Sequence, residues 1–545
     1  MKLNPLTAID FYKADHISQY PKGTEYVYSN FTPRSDRLSN LGNTFDGKIV
    51  FFGLQGFCKW FLQDLWTDGF FNQPKDKVVA QYKRRMDTSL GEGCVDVSHI
   101  EALHDLGYLP LHIKALPEGA RVPMQVPVLT VVNTDPNFSW LVNYLESVMS
   151  TELWKSCTSA TTAYEYKKIL TAAAVKTGAP LDFVPLQGHD FSFRGNSGLA
   201  DAAKTGAGHL LSFVGTDTVP AIDYLEDYYG ANADLELIGC SVPATEHSVM
   251  CMGGQEDEIE TFSRLITETY PTGIVSIVSD TWDFWKVITE YLPQLKDKIM
   301  SRQPNTLGLN KVVIRPDSGD PVKILCGYKV LDINCNIDKY NADSIAEHCG
   351  TSGFEAVREA NGLILRVHKH ETVGFVFGGD YITEDEVKGA VECLYETFGG
   401  PLTDKGYKML DEHIGLIYGD SITVDRAKQI MSQLENKGFA SSNVVLGIGS
   451  YTYQYVTRDT YGFAMKATWG QVNGESREIF KSPKTDSGVK KSAKGLLRVE
   501  KENGEYVLHD NQNCVGESSG ELRSVFLNGA LVNETTLSEI RETLT

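Results

Sequence analysis

Acidic residues that follow short apolar runs carry most of the chemistry available to this sequence. Asp190 and Arg194 stand in QGHDFSFRG, Asp217 in GTDT and His247 in CSVPATEHS. Asp280 stands in SIVSDTWD, Arg315 and Asp317 in VVIRPDSGD, and Asp420 in LIYGDSIT. In a parallel α/β barrel, the residues just after the C-terminal ends of the strands converge on one mouth, where such barrels do their chemistry. A single Asp at such a position is an ordinary helix cap. Asp after five strand ends, with arginines among them, exceeds what capping requires and points to an enzyme.

The last two of these turns add a phosphate signature. IYGDSIT, with Gly419 and Asp420, and VLGIGSYTY, with Gly449 and Ser450, both read strand, glycine-containing turn, helix. That order exposes backbone N–H groups where a helix begins, an arrangement that receives phosphate well. In barrels the phosphate site commonly follows the last two strands. Arg315, Arg458 and the basic stretch Lys490–Lys494 supply cations, so the expected substrate is phosphorylated.

The elements that must position these residues are legible as alternation. Apolar runs at Leu186–His189, His209–Phe213, Leu235–Gly239, Ile274–Val278, Val312–Ile314, Ile414–Tyr418 and Val444–Leu446 predict strands. Between them, sets such as Ile259, Phe262, Ile266 and Ile422, Ile430, Leu434 fall near the helical period. Strand alternating with helix predicts a parallel α/β sheet or barrel. The gap between Val312 and Ile414 exceeds a βαβ unit by roughly 60 residues, which predicts an inserted subdomain at about 325–384. Residues 1–155 and 460–545 pattern differently, with strand-like LHIKALP and PVLTVVNTD, and a hairpin signal, RVEKENGEYVLH, turning at Asn503-Gly504. The expected architecture is α/β: an irregular (β/α) barrel-like domain over 156–459, interrupted by the insertion, plus a mixed α/β domain formed from both chain ends.

Composition narrows the function classes. The chain has 545 residues, 42% of them hydrophobic, enough for a packed core. Its 51 basic against 71 acidic residues give a net charge of −20, which argues against a nucleic-acid partner held by counterion release. Ten scattered cysteines with no CxxC pair, no apolar leader and no membrane-length apolar run predict a reduced, cytoplasmic protein without a membrane anchor.

The segments DFYKADHISQYP, HDFSFRG, GTDTV, SVPATEHS, VSDTWD, IRPDSG, GDSIT and VTRD occur in an order that resembles the nicotinamide phosphoribosyltransferase family. The resemblance runs from about Asp10 to the C-terminus, outside the insertion. It implies a type II phosphoribosyltransferase fold and a homodimer whose active sites are built from both subunits. The implied reaction joins the ring nitrogen of nicotinamide to the anomeric carbon of 5-phosphoribosyl-1-pyrophosphate and expels pyrophosphate. A transition state of oxocarbenium character needs a carboxylate near the ribose and cations on the leaving group. By resemblance, Asp280 and Asp317 lie near the ribose and metal-bound pyrophosphate, and Arg194 and Arg315 neutralise phosphate. Gly419, Asp420, Gly449, Ser450 and Arg458 surround the ribose and 5′-phosphate, with Arg34 and Lys490 arriving from the partner subunit. Phe191 stacks on one face of the pyridine and Tyr12, from the partner, on the other; Asp217 closes the end of the pocket. His247 is implied as a site phosphorylated by ATP, and magnesium as an ion held mainly through pyrophosphate. The family's glycine-rich run is broken here, reading GIGSYTY. The alternatives are a barrel aldolase or isomerase acting on a sugar phosphate, nicotinate phosphoribosyltransferase, and a non-catalytic metabolite-binding homologue.

Overall fold

Six short parallel strands form the centre: β1 (Gly188–Phe191), β2 (Gly215–Thr216), β3 (Val275–Val278), β4 (Val312–Arg315), β5 (Ile414–Tyr418) and β6 (Val444–Gly449). The computed structural model describes residues 3–42, 45–419, 421–480 and 493–545. The strands are hydrogen-bonded in the order β2–β1–β6–β5–β4–β3. Strands β3 and β5 are buried along their whole length, as expected of a parallel sheet covered on both faces. The two edge strands are joined by the segment 240–245, which pairs in parallel with β2 at Gly215↔Cys240 and with β3 at Ala244↔Ser276. The sheet therefore closes on itself through a stave too irregular to count as a strand.

Two predicted strands are corrected here. His209–Phe213 is the end of helix Leu199–Leu210 and the turn after it, and the strand is displaced to β2. The helix is rich in small residues, with Ala202, Gly206 and Ala207 buried, and it carries the apolar Leu210 and Leu211 into a core without needing a strand. Leu235–Gly239 forms no strand either; its alternation points outward, with Leu235 84% and Leu237 56% exposed. The amides of Leu235 and Glu236 turn back onto the Asn232 carbonyl, so the chain joins the barrel only from Cys240.

The inserted subdomain is a four-stranded sheet, Val330–Asp332, Ala356–Arg358, Ile364–His370 and Gly374–Ile382, with helix Ala342–Thr351 packed against its last strands. Ala356, Ile364 and Ile382 give it a small core of its own. The second layer is a seven-stranded sheet drawn from both chain ends, in the order Glu475–Glu478, Ala464–Val472, Thr24–Thr32, Leu129–Asn133, Leu111–Ala115, Arg523–Leu527 and Ala530–Leu531. The expected hairpin pairs Leu496–Glu502 with Glu505–Gln512; Asn503 and Gly504 have φ of 51° and 87°, the left-handed pair that a tight two-residue turn needs. Helix Glu146–Thr177 runs through position 155 and packs on the sheet layer and on barrel helices alike, so no linker separates the layers there. Among the described residues all ten cysteines are free thiols, and no helix is long and apolar enough to cross a membrane.

Candidate active site at the barrel mouth

Asp280, two residues beyond β3, organises one side of the mouth. Its Oδ2 accepts the Asp317 amide (3.0 Å), the Ser318 amide (2.7 Å) and the Ser318 hydroxyl (2.6 Å). Its Oδ1 lies 3.3 Å from His247 Nε2. Burial alone would raise the Asp280 pKa, but the Ser318 hydroxyl, those two amides and the nearby His247 outweigh it and hold the carboxylate below its ordinary range. Arg315, at the end of β4, donates from Nη2 to the Thr245 carbonyl (2.6 Å) and approaches Asp317 Oδ1 at 3.7 Å. That bond ties the loop carrying His247 to the loop carrying Asp317. The Tyr418 hydroxyl, at the end of β5, lies 2.8 Å from the Ser318 carbonyl and fixes the same loop from below. His247 opens helix His247–Gly253 with its side chain 49% exposed, accessible to a ligand.

A second group gathers at the ends of β1 and β2. Asp217 Oδ1 accepts from His189 Nε2 (2.9 Å) and from the Ser241 hydroxyl (2.6 Å). Burial pushes the Asp217 pKa up, and the His189 and Ser241 bonds together with the Arg315 charge bring it below the ordinary carboxylate range. With Oδ1 doubly occupied, Oδ2 is the oxygen left to meet a ligand. Phe191 packs beside His189 with ring centroids 4.6 Å apart, so one histidine touches both an aromatic ring and an anion. Asp190 belongs elsewhere: it is fully buried and accepts the Ser192 amide at 2.8 Å, a support for the loop rather than a group at the mouth.

The glycine turns lie between these groups. At Gly419 a side chain would overlap Asp317 Oδ1, so only glycine lets the turn after β5 pass so close to the carboxylate. Gly449 is the N-cap of helix Ser450–Gln454, whose first amides have no intrahelical acceptor. A side chain at Gly195 would overlap Ser450, so the Arg194 loop rests directly on this turn. Arg194 itself is exposed. Asp420 and Lys490 lie outside the described residues.

Three candidates sit on the second layer. Tyr12 is 61% exposed beside His16. Arg34 donates to the Gly462 carbonyl (2.7 Å), and Arg458 is exposed and pairs with Asp459 (3.3 Å). Among the described residues no hydrogen bond, ion pair or ring contact joins these three to Asp280, Asp317, Asp217 or Phe191. Sequence reasoning missed His189, Ser241, Ser318 and Thr245. His189 sits at alternate spacing to Phe191 along β1, a signal that could have found it; Thr245 acts through its backbone and left none. Among the described residues Glu500, Glu502 and His509 converge closely enough to hold a metal ion, but they lie on the Leu496–Gln512 hairpin.

A closed parallel barrel whose mouth carries carboxylates, Arg315 and two glycine turns is an arrangement suited to a phosphorylated ligand. The chain belongs to the nicotinate phosphoribosyltransferase (NAPRTase) family, which it matches over residues 186–530. Residues 4–84 match the N-terminal domain of nicotinamide phosphoribosyltransferase. The chain is 60% identical over 543 residues to the nicotinamide phosphoribosyltransferase of Acinetobacter baylyi, covering 100% of this chain and 97% of that protein. It is 32% identical to the protein of the same name from Mycoplasma pneumoniae, over 89% of this chain and 93% of that one. Its fold is similar to the crystal structure of nicotinate-nucleotide pyrophosphorylase from Pyrococcus furiosus, with a TM-score of 0.50 and 13% identity over 99% and 94% of the two chains.

Proposed function

We propose that the protein is a nicotinamide phosphoribosyltransferase acting in NAD salvage. The observation that carries this reading is Asp217, whose carboxylate is held below its ordinary pKa range and bonded to His189, the ring that packs against Phe191. Its free oxygen can accept a hydrogen bond from the amide N–H of nicotinamide, whereas it would meet nicotinate as one anion meets another. The relatives bearing that name at 60% and 32% identity support it. The pyridine nitrogen donates its lone pair to the anomeric carbon as the bond from that carbon to pyrophosphate breaks; the ring takes up the positive charge and pyrophosphate leaves with the electron pair. Asp317 faces the developing oxocarbenium charge, and Arg315 and Arg194 face the phosphates.

Magnesium fits this site through the substrate. Both oxygens of Asp280 are committed to hydrogen bonds, so the substrate's phosphates would supply the hard donors for the ion. Bound there, the ion supplies charge neutralisation for the departing pyrophosphate. ATP is the proposed donor to His247. A proton on Nε2 shared with Asp280 leaves the Nδ1 lone pair free to attack the γ-phosphorus, displacing ADP. Tyr12, Arg34 and Lys490 complete the site of a second copy, which makes the working unit a homodimer, and the working compartment is the cytoplasm. Mixing the protein with phosphoribosyl pyrophosphate, magnesium and each pyridine, then separating and weighing the mononucleotides, tests the reading. Accumulation of nicotinamide mononucleotide is expected, and its absence would count against the proposal.

A further inference from the structure

Lys155 lies in the third turn of helix Glu146–Thr177, outside every motif that the function uses, with only 12% of its side chain exposed. Its ammonium has three N–H donors, and three acceptors from three different segments take them. Asn196 Oδ1 (3.2 Å) belongs to the loop after β1, the Asp201 carboxylate to the start of helix Leu199–Leu210, and Gln454 Oε1 to the end of the helix that follows β6. The ties continue outward. Asp201 also accepts the Ser197 amide (2.8 Å), the Gln454 amide nitrogen donates to the Ser197 hydroxyl, and Asn196 Nδ2 donates to the Ser192 carbonyl (3.0 Å). One end of the Gln454 amide therefore joins its helix directly to the loop that carries Arg194, and the other joins it to Lys155, which itself holds that loop through Asn196. The direct seat of Gly195 on Ser450 is the third link between the same two segments.

We propose that Lys155 is a positioning residue for phosphoribosyl pyrophosphate, locking the Arg194 loop to the Gly449–Ser450 turn so that the two form one preassembled phosphate cradle. The proposal rests on the functional reading above, which gives both segments to that substrate. Lys155 does not itself reach the phosphates, because Asp201 neutralises its charge and its donors are saturated. Its contribution is to hold two loops, which arise from different strands, in one arrangement before substrate arrives. Burial pushes the Lys155 pKa down, and the Asp201 carboxylate opposes that shift. The group of Asp217, His189 and Ser241 shares no hydrogen bond with this network among the described residues.

The test uses the full chain carrying Lys155→Met, which keeps the length of the side chain and removes its donors, and separately Lys155→Arg and Gln454→Leu. Calorimetric titration with phosphoribosyl pyrophosphate and magnesium is combined with steady-state kinetics for both substrates. Lys155→Met is expected to raise KM and Kd for phosphoribosyl pyrophosphate tenfold or more, while KM for nicotinamide stays within twofold. Gln454→Leu, on the rim, should move the same constants in the same direction and add little to Lys155→Met when combined with it, and Lys155→Arg should recover part of the loss. Folded variants with unchanged affinity for phosphoribosyl pyrophosphate, or with both KM values raised together, would overturn the proposal. If Lys155→Met does not fold, an unchanged Gln454→Leu overturns it on its own. A parent protein that fails to bind phosphoribosyl pyrophosphate would overturn the functional reading and this proposal with it, whereas binding by the parent with indifferent variants overturns this proposal alone.

Discussion

Replacing Asp217 by Asn keeps an oxygen that can accept the nicotinamide amide and removes the negative charge that opposes nicotinate. Two like charges about 4 Å apart at an effective dielectric of about 20 repel by roughly 4 kcal/mol. The side chain of Asp217 is 43% exposed, and Arg315 and His189 both draw on its charge, so the share expressed in selectivity is smaller. A discount to about 1.5–3 kcal/mol corresponds to a preference of roughly 10- to 100-fold, because each 1.4 kcal/mol is about tenfold. The assay is kcat/KM for nicotinamide and for nicotinate in the parent and in Asp217→Asn. The ratio should narrow by about tenfold or more in the variant, chiefly through better use of nicotinate. Because the Asp217 pKa is held low, the parent's preference should persist across neutral pH and fade only as the pH drops below the ordinary carboxylate range. A parent that uses both pyridines equally, or a variant with the parent's ratio, would refute the reasoning.

Three further outcomes follow from the same geometry. A preparation containing heterodimers of Tyr12→Ala and Arg315→Ala should recover activity that neither variant has alone, measured as mononucleotide formed; no recovery in verified heterodimers contradicts a shared site. His247→Ala should retain basal synthesis and lose stimulation by ATP, and a variant still accelerated like the parent excludes His247 as the phosphorylated group. His209 is buried with Nε2 donating to the Gly215 carbonyl (3.0 Å) and Nδ1 accepting from Tyr453 (2.7 Å), and burial pulls its pKa down to about 4. Its folded value lies below the unfolded 6.5, so its contribution is fully present above pH 6.5 and is lost as the pH falls towards 4; urea unfolding should show a loss of about 2 kcal/mol by pH 5 that His209→Gln lacks.

The barrel was legible where short runs rich in Val, Ile and Leu end at glycine or polar turns, as in β3, β4, β5 and β6, and two of these, β3 and β5, are buried along their whole length. It was illegible where burial did not track hydropathy. The apolar Leu210, Leu211 and Phe213 are buried at a helix end, so their run looked like a strand, while Leu235 and Leu237 are apolar yet exposed. The stave at 240–245 pairs with both neighbours through isolated bridges, which no period in the sequence reports. At the site, the sequence indicated carboxylates and arginines by their place after strands. It did not indicate what holds them, since the Thr245 carbonyl and the Ser318 amide are backbone groups and Lys155 lies on a helix remote in sequence from the loops it joins.

The most direct test of the account is competition between the two pyridines. The parent protein is incubated with phosphoribosyl pyrophosphate, magnesium, ATP and equal amounts of nicotinamide and nicotinate, and the mononucleotides are separated and identified by mass. The account predicts nicotinamide mononucleotide in at least about tenfold excess, the lower edge of the selectivity worked out for Asp217. Nicotinate mononucleotide as the main product, or the two in equal amounts, would contradict it.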